Sequence, residues 1–141
     1  MRILFACVGN SCRSQMAEAF CRVLGNDVEC ESAGSAPAPV VAPNAVAVMK
    51  EIGIDISAAR TKGFRDVIAG GYDYMVSMGC IVTCPFLPGA KEIRWDIPDP
   101  YAKGMEDYRR VRDSIRTQVR DLLDSLGLLA HDPRDNHQPL A

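Results

Sequence analysis

The sequence has only two histidines, a single tryptophan, and no apolar run of the roughly 20 residues that cross a membrane. Both histidines, His131 and His137, lie in the polar stretch 130–141, which lacks the apolar periodicity needed to pack. A cysteine activated by a histidine base is therefore disfavoured, and histidine-rich zinc sites are excluded. Any reactive side chain has to be activated by other groups.

Excess charge is also missing, because the formal net charge of the 141 residues is -2. A nearly neutral chain has no broad electrostatic attraction for nucleic acid or for an anionic membrane, so neither is an expected partner. The apolar segment at the N-terminus is too short for the core of a signal peptide. We therefore expect a cytoplasmic protein that binds any anion through local geometry.

Length and composition predict one globular domain. Hydrophobic residues make up 48% of the chain and charged residues 24%, which is ordinary for a folded protein of this size. We expect a single domain over residues 1–129 and a flexible tail over residues 130–141. Six cysteines without a secretion signal suggest reactive thiols or a metal site sooner than structural disulfides, because the cytosol keeps thiols reduced.

The spacing of the apolar residues predicts alternating strands and helices. The predicted strands span residues 2–7, 28–32, 72–78 and 91–95; helices begin near residues 14, 45 and 111, with a short one over 64–69. This alternation is typical of an α/β fold with a parallel sheet and helices on both faces. Ligands bind beyond the carboxyl ends of parallel strands, where Cys7 and Cys80 both lie, so two distant segments should meet over one pocket.

The first strand and the first helix are joined by one loop, Cys7-Val8-Gly9-Asn10-Ser11-Cys12-Arg13-Ser14. Successive backbone N–H groups at such a junction can point at a tetrahedral oxyanion, and the helix dipole adds positive potential. Gly9 and Asn10 tolerate the positive φ angles of a curled loop, and Arg13 can donate to two oxygens of one anion. The helix N-terminus and the guanidinium also favour a thiolate at Cys7, which supplies a nucleophile without histidine.

The spacing Cys7-x5-Arg13-Ser14 resembles the signature of the low-molecular-weight protein tyrosine phosphatase fold. The longer run from Gly9 to Glu18 is similar to the thioredoxin-coupled arsenate reductases built on that fold. The likeness continues to about Leu129 through Ser32-Ala33-Gly34, Gly53-Ile54-Asp55-Ile56-Ser57, Cys84-Pro85, Trp95, Asp99-Pro100 and Val111-Arg112-Asp113. The resemblance implies a three-layer α/β sandwich with a four-stranded parallel sheet, and one catalytic domain over residues 1–129.

The resemblance also implies a reaction, the reduction of arsenate to arsenite by three thiols. Cys7 attacks arsenate, Cys80 attacks the Cys7 sulfur and expels arsenite, and Cys84 then forms a disulfide with Cys80. An external thiol reductant, thioredoxin first among them, resets the enzyme, and neither a cofactor nor a metal is expected. If their loop is helical, the Cα atoms of Cys80 and Cys84 lie about 6 Å apart, within disulfide reach. Fewer residues separate Cys80 and Cys84 than separate the two loop cysteines of these relatives, so the resemblance does not predict how far the loop moves.

Further roles come from the same resemblance. The residues that would bind the oxyanion are Val8, Gly9, Asn10, Ser11, Cys12, Arg13 and Ser14. Arg13 would steady the developing charge, and Ser14 would support the thiolate. Asp99, which precedes Pro100 in a turn, would protonate the leaving oxygen. An aspartate that only caps this turn is the structural alternative for Asp99.

One position departs from the relatives that bind potassium beside this loop. Their ligands match Asn10, Glu18 and Ser32 here, but Lys62 stands in the place of an aspartate. We infer that the Lys62 ammonium replaces the ion, and we expect no dependence on potassium.

Two other functions remain open. The first is a low-molecular-weight phosphatase that hydrolyses phosphotyrosine through a Cys7 thiophosphate, and the run Asp99-Pro100-Tyr101 favours it. The second is a binding module without turnover, which senses redox state or holds zinc on Cys7, Cys12, Cys80 and Cys84.

The last three cysteines have plainer interpretations. Cys12 is either tolerated as a structural residue inside the loop or forms a disulfide with Cys7. Cys21 lies on the apolar face of a helix and Cys30 on the inner side of a strand, so both are predicted to pack in the core.

Overall fold

The computed structural model describes residues 1–67, 71–79, 87–101 and 103–130. Its elements, in chain order, are β1 (Arg2–Cys7), α1 (Arg13–Leu24), β2 (Glu29–Gly34), α2 (Pro43–Glu51), a 3-10 turn (Phe64–Asp66), β3 (Tyr74–Ser77), β4 (Lys91–Arg94) and α3 (Met105–Ser125). The predicted alternation of strands and helices is confirmed.

The four strands form one sheet in the order β2-β1-β3-β4, and every neighbouring pair is parallel. In this register Cys7 lies opposite Gly34, and Ala6 lies opposite Ser77. The carboxyl ends of β2, β1 and β3 therefore meet at one edge, which brings together the loops that follow them. This is the predicted α/β fold with a four-stranded parallel sheet.

Alternation along β1 divides the core between the two faces of the sheet. Ile3 and Phe5 are fully buried in the larger cluster, which includes the apolar faces of the three α-helices. Leu4 and Ala6 point the other way, into a smaller cluster that contains Met75. This division follows from the two-residue period of a strand, because successive side chains leave opposite faces.

Helix α3 buries a stripe with a spacing of three to four residues. Its fully or nearly buried apolar members are Tyr108, Val111, Ile115, Val119 and Leu123. The apolar spacing in the sequence indicates a stripe of Val111, Ile115, Val119, Leu122 and Leu126. The first three are buried, whereas Leu122 and Leu126 are only partly buried. The stripe packs against α1 and α2, so the final helix closes the larger core.

The helix predicted over residues 64–69 is a single 3-10 turn over Phe64–Asp66. The side chain of Asp66 accepts a hydrogen bond from the backbone N–H of Gly63, which fixes the turn at its start. Val67 ends it, and residues 68–70 lie outside the described residues. A short helix has little intrinsic stability, and one turn suffices to place Phe64 and Val67 on the smaller core.

Cys21 and Cys30 pack in the core as predicted, but they are also joined by a disulfide between α1 and β2. Their Cα atoms are 6.2 Å apart. The expectation of free thiols was wrong for this pair. It was based on the reducing conditions of the cytosol, and the sequence does not show which cysteines the fold brings together. The bond closes the turn between α1 and β2 and restricts the unfolded chain.

The C-terminal end of the described chain pairs with the turn after α1. The N–H of Ala130 donates to the carbonyl of Leu24 at 2.8 Å, and the N–H of Asn26 donates to that of Leu128 at 2.7 Å. The predicted tail beyond residue 130 lies outside the described residues. None of the helices in the described ranges has the length and apolar character to cross a bilayer.

A buried arginine ties α2 to α3. Arg112 donates through Nη1 to the carbonyl of Val48 at 3.0 Å and to Glu51 at 2.8 Å, and through Nε to Asp113 at 2.8 Å. Its side chain is only 7% exposed. Hydrogen bonds from Arg109 and then from Arg112 lower the pKa of Glu51 below its ordinary value. The Nε and Nη1 hydrogens of the guanidinium are therefore partnered where the two helices meet.

Replacing Arg112 with alanine should lower the free energy of unfolding by about 1 to 3 kcal/mol, because it leaves the buried carbonyl of Val48 without its donor and removes a buried side chain. Urea unfolding measures the change. The matched control is Arg110→Ala, since Arg110 is 74% exposed and its described ion pair is with its helical neighbour Asp107. The effect should be full above the ordinary pKa of a glutamate and shrink as the pH falls and Glu51 protonates. Equal losses in both variants would contradict this account.

Candidate active site

The loop after β1 is curled and its outer side is bonded to a second loop. Its carbonyls at Cys7, Val8, Gly9 and Ser11 accept hydrogen bonds from the N–H groups of Ser35 (3.3 Å), Ala36 (2.9 Å), Ala38 (2.9 Å) and Ala42 (2.8 Å). In a trans peptide the N–H points opposite to the carbonyl. The outer bonds therefore turn the following N–H groups away from the second loop.

Two features of the backbone make the curl possible. Asn10 adopts φ +48°, a left-handed conformation that asparagine tolerates better than most residues. Gly34 lies against the curl, where a Cβ would collide with the Val8 carbonyl oxygen and lie 2.8 Å from the Asn10 nitrogen. Only glycine fits at the end of β2 without moving the loop.

The thiol of Cys7 is 3% exposed and lies 2.9 Å from the hydroxyl of Ser14. The Asn10 carboxamide is fully buried and donates through Nδ2 to Ser14 Oγ at 2.8 Å and to Ser32 Oγ at 3.0 Å. These bonds connect the thiol to a polar network behind the loop. The predicted contact between Ser14 and Cys7 is present.

Arg13 is buried at the first position of α1 and reaches across the sheet edge. Its Nη1 donates to the carbonyl of Ile97 at 3.0 Å, and its Nη2 lies 3.6 Å from Asp99. Gly79, with φ +89°, lies so close that a Cβ there would be 2.6 Å from Nη1. The guanidinium thus joins the ends of β1, β3 and β4.

Asp99 faces the loop from the turn after β4. One carboxylate oxygen accepts the N–H of Tyr101 at 3.0 Å, and the other is the one near Arg13. Asp99 therefore caps its own turn and also reaches the site. Cys80 and Cys84 lie outside the described residues, so their predicted approach to Cys7 stays a prediction.

Burial, then the neighbouring Cys7 and Asp99, raise the pKa of the Cys12 thiol well above its ordinary value, against a smaller lowering effect of Arg13. Cys12 therefore stays protonated near neutral pH and is a poor nucleophile. Cys7 and Cys12 are both free thiols. Within the described ranges no three histidine, cysteine or acidic side chains are grouped to hold a metal ion. The zinc alternative also needs Cys80 and Cys84, which are not among those residues.

Lys62 reaches the acidic group behind the loop. Its ammonium lies 3.3 Å from Glu18 Oε1, which also accepts a hydrogen bond from Ser32. Arg22 pairs with the other oxygen of Glu18 at 2.9 Å. The backbone N–H of Lys62 donates to Asn10 Oδ1 at 2.7 Å. A cation on a side chain already neutralises Glu18, so this group of residues does not fit a potassium ion.

Two contributors to the site were not found from the sequence. Gln15 is 2% exposed and donates to Asn10, and the Ile97 carbonyl holds Arg13. A single glutamine after the predicted loop does not belong to an apolar periodicity, and the position of a backbone carbonyl cannot be read from a sequence. Both contributors are recognised only from their contacts with distant segments of the fold.

A groove of about 470 Å³ opens beside the loop. Its lining includes Ser11, Pro39, Val40, Tyr101 and Tyr108. Val40 and Tyr101 are large apolar side chains that are mostly exposed. The groove therefore offers an apolar wall next to the residues that surround Cys7.

The family model described as low molecular weight phosphotyrosine protein phosphatase matches residues 2–130. The chain belongs to this family. The match includes the whole loop from Cys7 to Ser14 and the turn that carries Asp99.

Within this phosphatase family the chain is similar to arsenate reductases. A glutaredoxin arsenate reductase of Synechocystis sp. is 35% identical over 125 residues, which are 86% of this chain and 95% of that protein. A solved arsenate reductase in the phosphate binding state is 32% identical, with a TM-score of 0.78, and the match covers 88% of this chain and 97% of that one. A thioredoxin-dependent arsenate reductase of Corynebacterium glutamicum is 34% identical, with a TM-score of 0.74, over 89% of this chain and 61% of that one.

Potassium should leave the rate of this phosphatase-family protein unchanged, because the Lys62 ammonium already lies against Glu18. The measurement is kcat/KM for an aryl phosphate or for arsenate in potassium and in sodium chloride at equal ionic strength. Lys62→Met should lower kcat/KM, because Glu18 then has one fewer cation beside it. The matched control is Lys50→Met, since Lys50 is exposed on α2. A several-fold gain of the unmodified protein in potassium would contradict this prediction.

Proposed function

We propose that this protein reduces arsenate to arsenite, with Cys7 as the nucleophile and Cys80 and Cys84 as the thiols that carry the electrons away. The observation that carries the proposal is the position of the Cys7 thiol. It lies at the start of a curled loop at the N-terminus of α1, within 2.9 Å of the Ser14 hydroxyl. The buried Arg13 guanidinium projects from the other end of the same loop.

The loop is suited to a tetrahedral oxyanion. The carbonyls of Cys7, Val8 and Gly9 are occupied by the second loop, which leaves the N–H side of the peptides for a ligand. Helix α1 has no side-chain cap and no acidic residue in its first turn, so its N-terminus favours an anion. Arg13 adds a planar donor with a full positive charge. We assign oxyanion binding to Val8 through Ser14 on these grounds.

The first chemical step is attack of the Cys7 thiolate on arsenic. A sulfur–arsenic bond forms, and one oxygen leaves as water after accepting a proton. Asp99 is the proposed proton donor, because it lies on the substrate side of Arg13 and its side chain is half exposed. Ser14 stabilises the thiolate before attack through its hydroxyl.

The second step moves two electrons onto arsenic. The Cys80 thiolate attacks the Cys7 sulfur, a disulfide forms, and the electron pair of the sulfur–arsenic bond goes to arsenic as arsenite leaves. Gly79, the residue that precedes Cys80 in the sequence, lies against Arg13, and this contact supports the assignment of the second step to Cys80. Cys84 then attacks Cys80, which frees Cys7 and leaves a Cys80–Cys84 disulfide.

An external dithiol has to reduce that disulfide. The relatives point to two reductants of one chemical class, since one is a glutaredoxin arsenate reductase and another is thioredoxin-dependent. We propose thioredoxin as the partner here, in the cytoplasm, where such dithiols are kept reduced. Nucleic acid and membranes have no part in this scheme.

The apolar groove beside the loop favours a second activity, the hydrolysis of aryl phosphates. An aromatic ring bound next to Val40 and Tyr101 would lie beside Ser11, a residue of the loop that begins at Cys7. Water would then hydrolyse the thiophosphate with no need for Cys80 or Cys84. This activity shares the first step with arsenate reduction and differs in the second.

Variants of the loop cysteines separate the two activities. Cys80→Ser should end arsenite formation and leave aryl phosphate hydrolysis, because only the second step of reduction needs Cys80. Cys84→Ser should allow about one turnover and trap Cys7 bonded to Cys80, since the mixed disulfide is not resolved. Arsenite is measured with thioredoxin, thioredoxin reductase and NADPH, and the trapped bond by peptide mass mapping.

Two outcomes bear on the proposal directly. Cys7→Ser should abolish both activities, which controls for contaminating enzymes. Absence of arsenite with either thioredoxin or glutaredoxin, alongside efficient hydrolysis of phosphotyrosine, would show that the protein is a phosphatase.

A further inference from the structure

Gln15 places a carboxamide in the interior where the loop meets α1. The residue is 2% exposed and is the third residue of the helix. A buried carboxamide has to be hydrogen-bonded, because an unpaired one costs free energy. Nε2 of Gln15 donates to Asn10 Oδ1 at 3.0 Å and to the carbonyl of Arg60 at 2.8 Å. Both of its amide hydrogens are thus used, and the residue touches neither the thiol nor Arg13 in any described contact.

The two donors at Asn10 Oδ1 fix the orientation of that carboxamide. One is Gln15, and the other is the backbone N–H of Lys62, which can only donate. The oxygen of Asn10 therefore faces these donors, and its nitrogen faces the hydroxyls of Ser14 and Ser32. A rotated carboxamide would place its own N–H groups against the N–H donors of Gln15 and Lys62. Its oxygen would then face the two hydroxyls, and Ser14 could donate to Asn10 instead of to sulfur.

This orientation decides which way the Ser14 hydroxyl points its proton. Ser14 Oγ accepts a hydrogen bond from Asn10 and has one hydrogen of its own. The remaining close partner is the Cys7 sulfur at 2.9 Å. When Cys7 is a thiolate, which has no proton to donate, the Ser14 hydroxyl donates to its sulfur, and this bond stabilises the thiolate over the thiol.

We propose that Gln15 is a positioning residue for the nucleophile, which acts by holding the Asn10 carboxamide so that Ser14 donates to the Cys7 thiolate. Through the Arg60 carbonyl it also holds the segment that brings Lys62 to Asn10. The inference rests on the proposed role of Cys7 as the nucleophile, and it is independent of which oxyanion the loop binds.

The test follows the alkylation of Cys7 by iodoacetamide as a function of pH, with Cys7 located by tandem mass spectrometry. Gln15→Ala and Gln15→Met, which is uncharged and similar in size to glutamine, should move the midpoint of the profile to higher pH by about one unit, because the thiolate loses most of one charge-assisted hydrogen bond. The rate near neutral pH should fall by about tenfold for the same reason. Gln118→Ala on α3 is the control, since among the described residues Gln118 donates to Ser114 of its own helix.

A double-mutant cycle separates positioning from a general loss of structure. In a Ser14→Ala background, the uncharged Gln15→Met should leave the profile unchanged, because the bond through which Gln15 acts is already absent. A shift of equal size in both backgrounds, or none in either, would overturn the inference. The variants are compared at pH values where each is folded by circular dichroism, and Gln15→Leu replaces either variant that does not fold.

The same measurement distinguishes failure of the inference from failure of the proposed function. If Cys7 of the unmodified protein alkylates no faster than an unactivated thiol, then its role as the nucleophile fails. If Cys7 is reactive and Gln15 variants match the unmodified protein, then only the inference about Gln15 fails.

Discussion

Four hydrogen bonds of the Asn10 carboxamide hold the loop after β1 in its curled form. Its oxygen accepts from Gln15 and Lys62, and its nitrogen donates to Ser14 and Ser32. Such a loop has to keep N–H groups available to a ligand while its own chain is buried, which a short turn does not do unaided. The side chain of Asn10 supplies the inner anchor, and the carbonyl bonds to the second loop supply the outer one. The placement of Cys7 depends on both.

The two cationic side chains near the loop, Arg13 and Lys62, contact different groups. Arg13 is held by the Ile97 carbonyl and lies close to Asp99. Lys62 pairs with Glu18, which belongs to the polar network around Asn10 and Ser32. A buried carboxylate without a cation would oppose both an anionic ligand and a thiolate nearby. The fold thus keeps the negative charge of Glu18 paired, and under the proposed function Arg13 is the cation that binds the oxyanion.

Much of this arrangement follows from local sequence, and the rest depends on contacts between distant segments. The strand, the glycine and asparagine of the loop, and Arg13 at the helix start are visible as a pattern, because they follow one another within residues 2–13. The apolar stripe of α3 is visible because its spacing repeats every three to four residues. The disulfide between Cys21 and Cys30, the role of Gln15 and the Ile97 carbonyl are not, since each needs a partner placed by the sheet. The helix predicted over residues 64–69 was wrong, because a single 3-10 turn is enough to pack Phe64 and Val67 on the smaller core.

Occupation of the loop by an oxyanion over Cys7 is the central claim, and protection of that thiol from alkylation tests it most directly. The rate of Cys7 modification by iodoacetamide is measured in phosphate, a stable analogue of arsenate, and in chloride at equal ionic strength. The account predicts that phosphate slows Cys7 modification in proportion to its occupancy of the loop, and that Arg13→Ala removes the protection. Modification of Cys7 at the same rate in saturating phosphate and in chloride would contradict it.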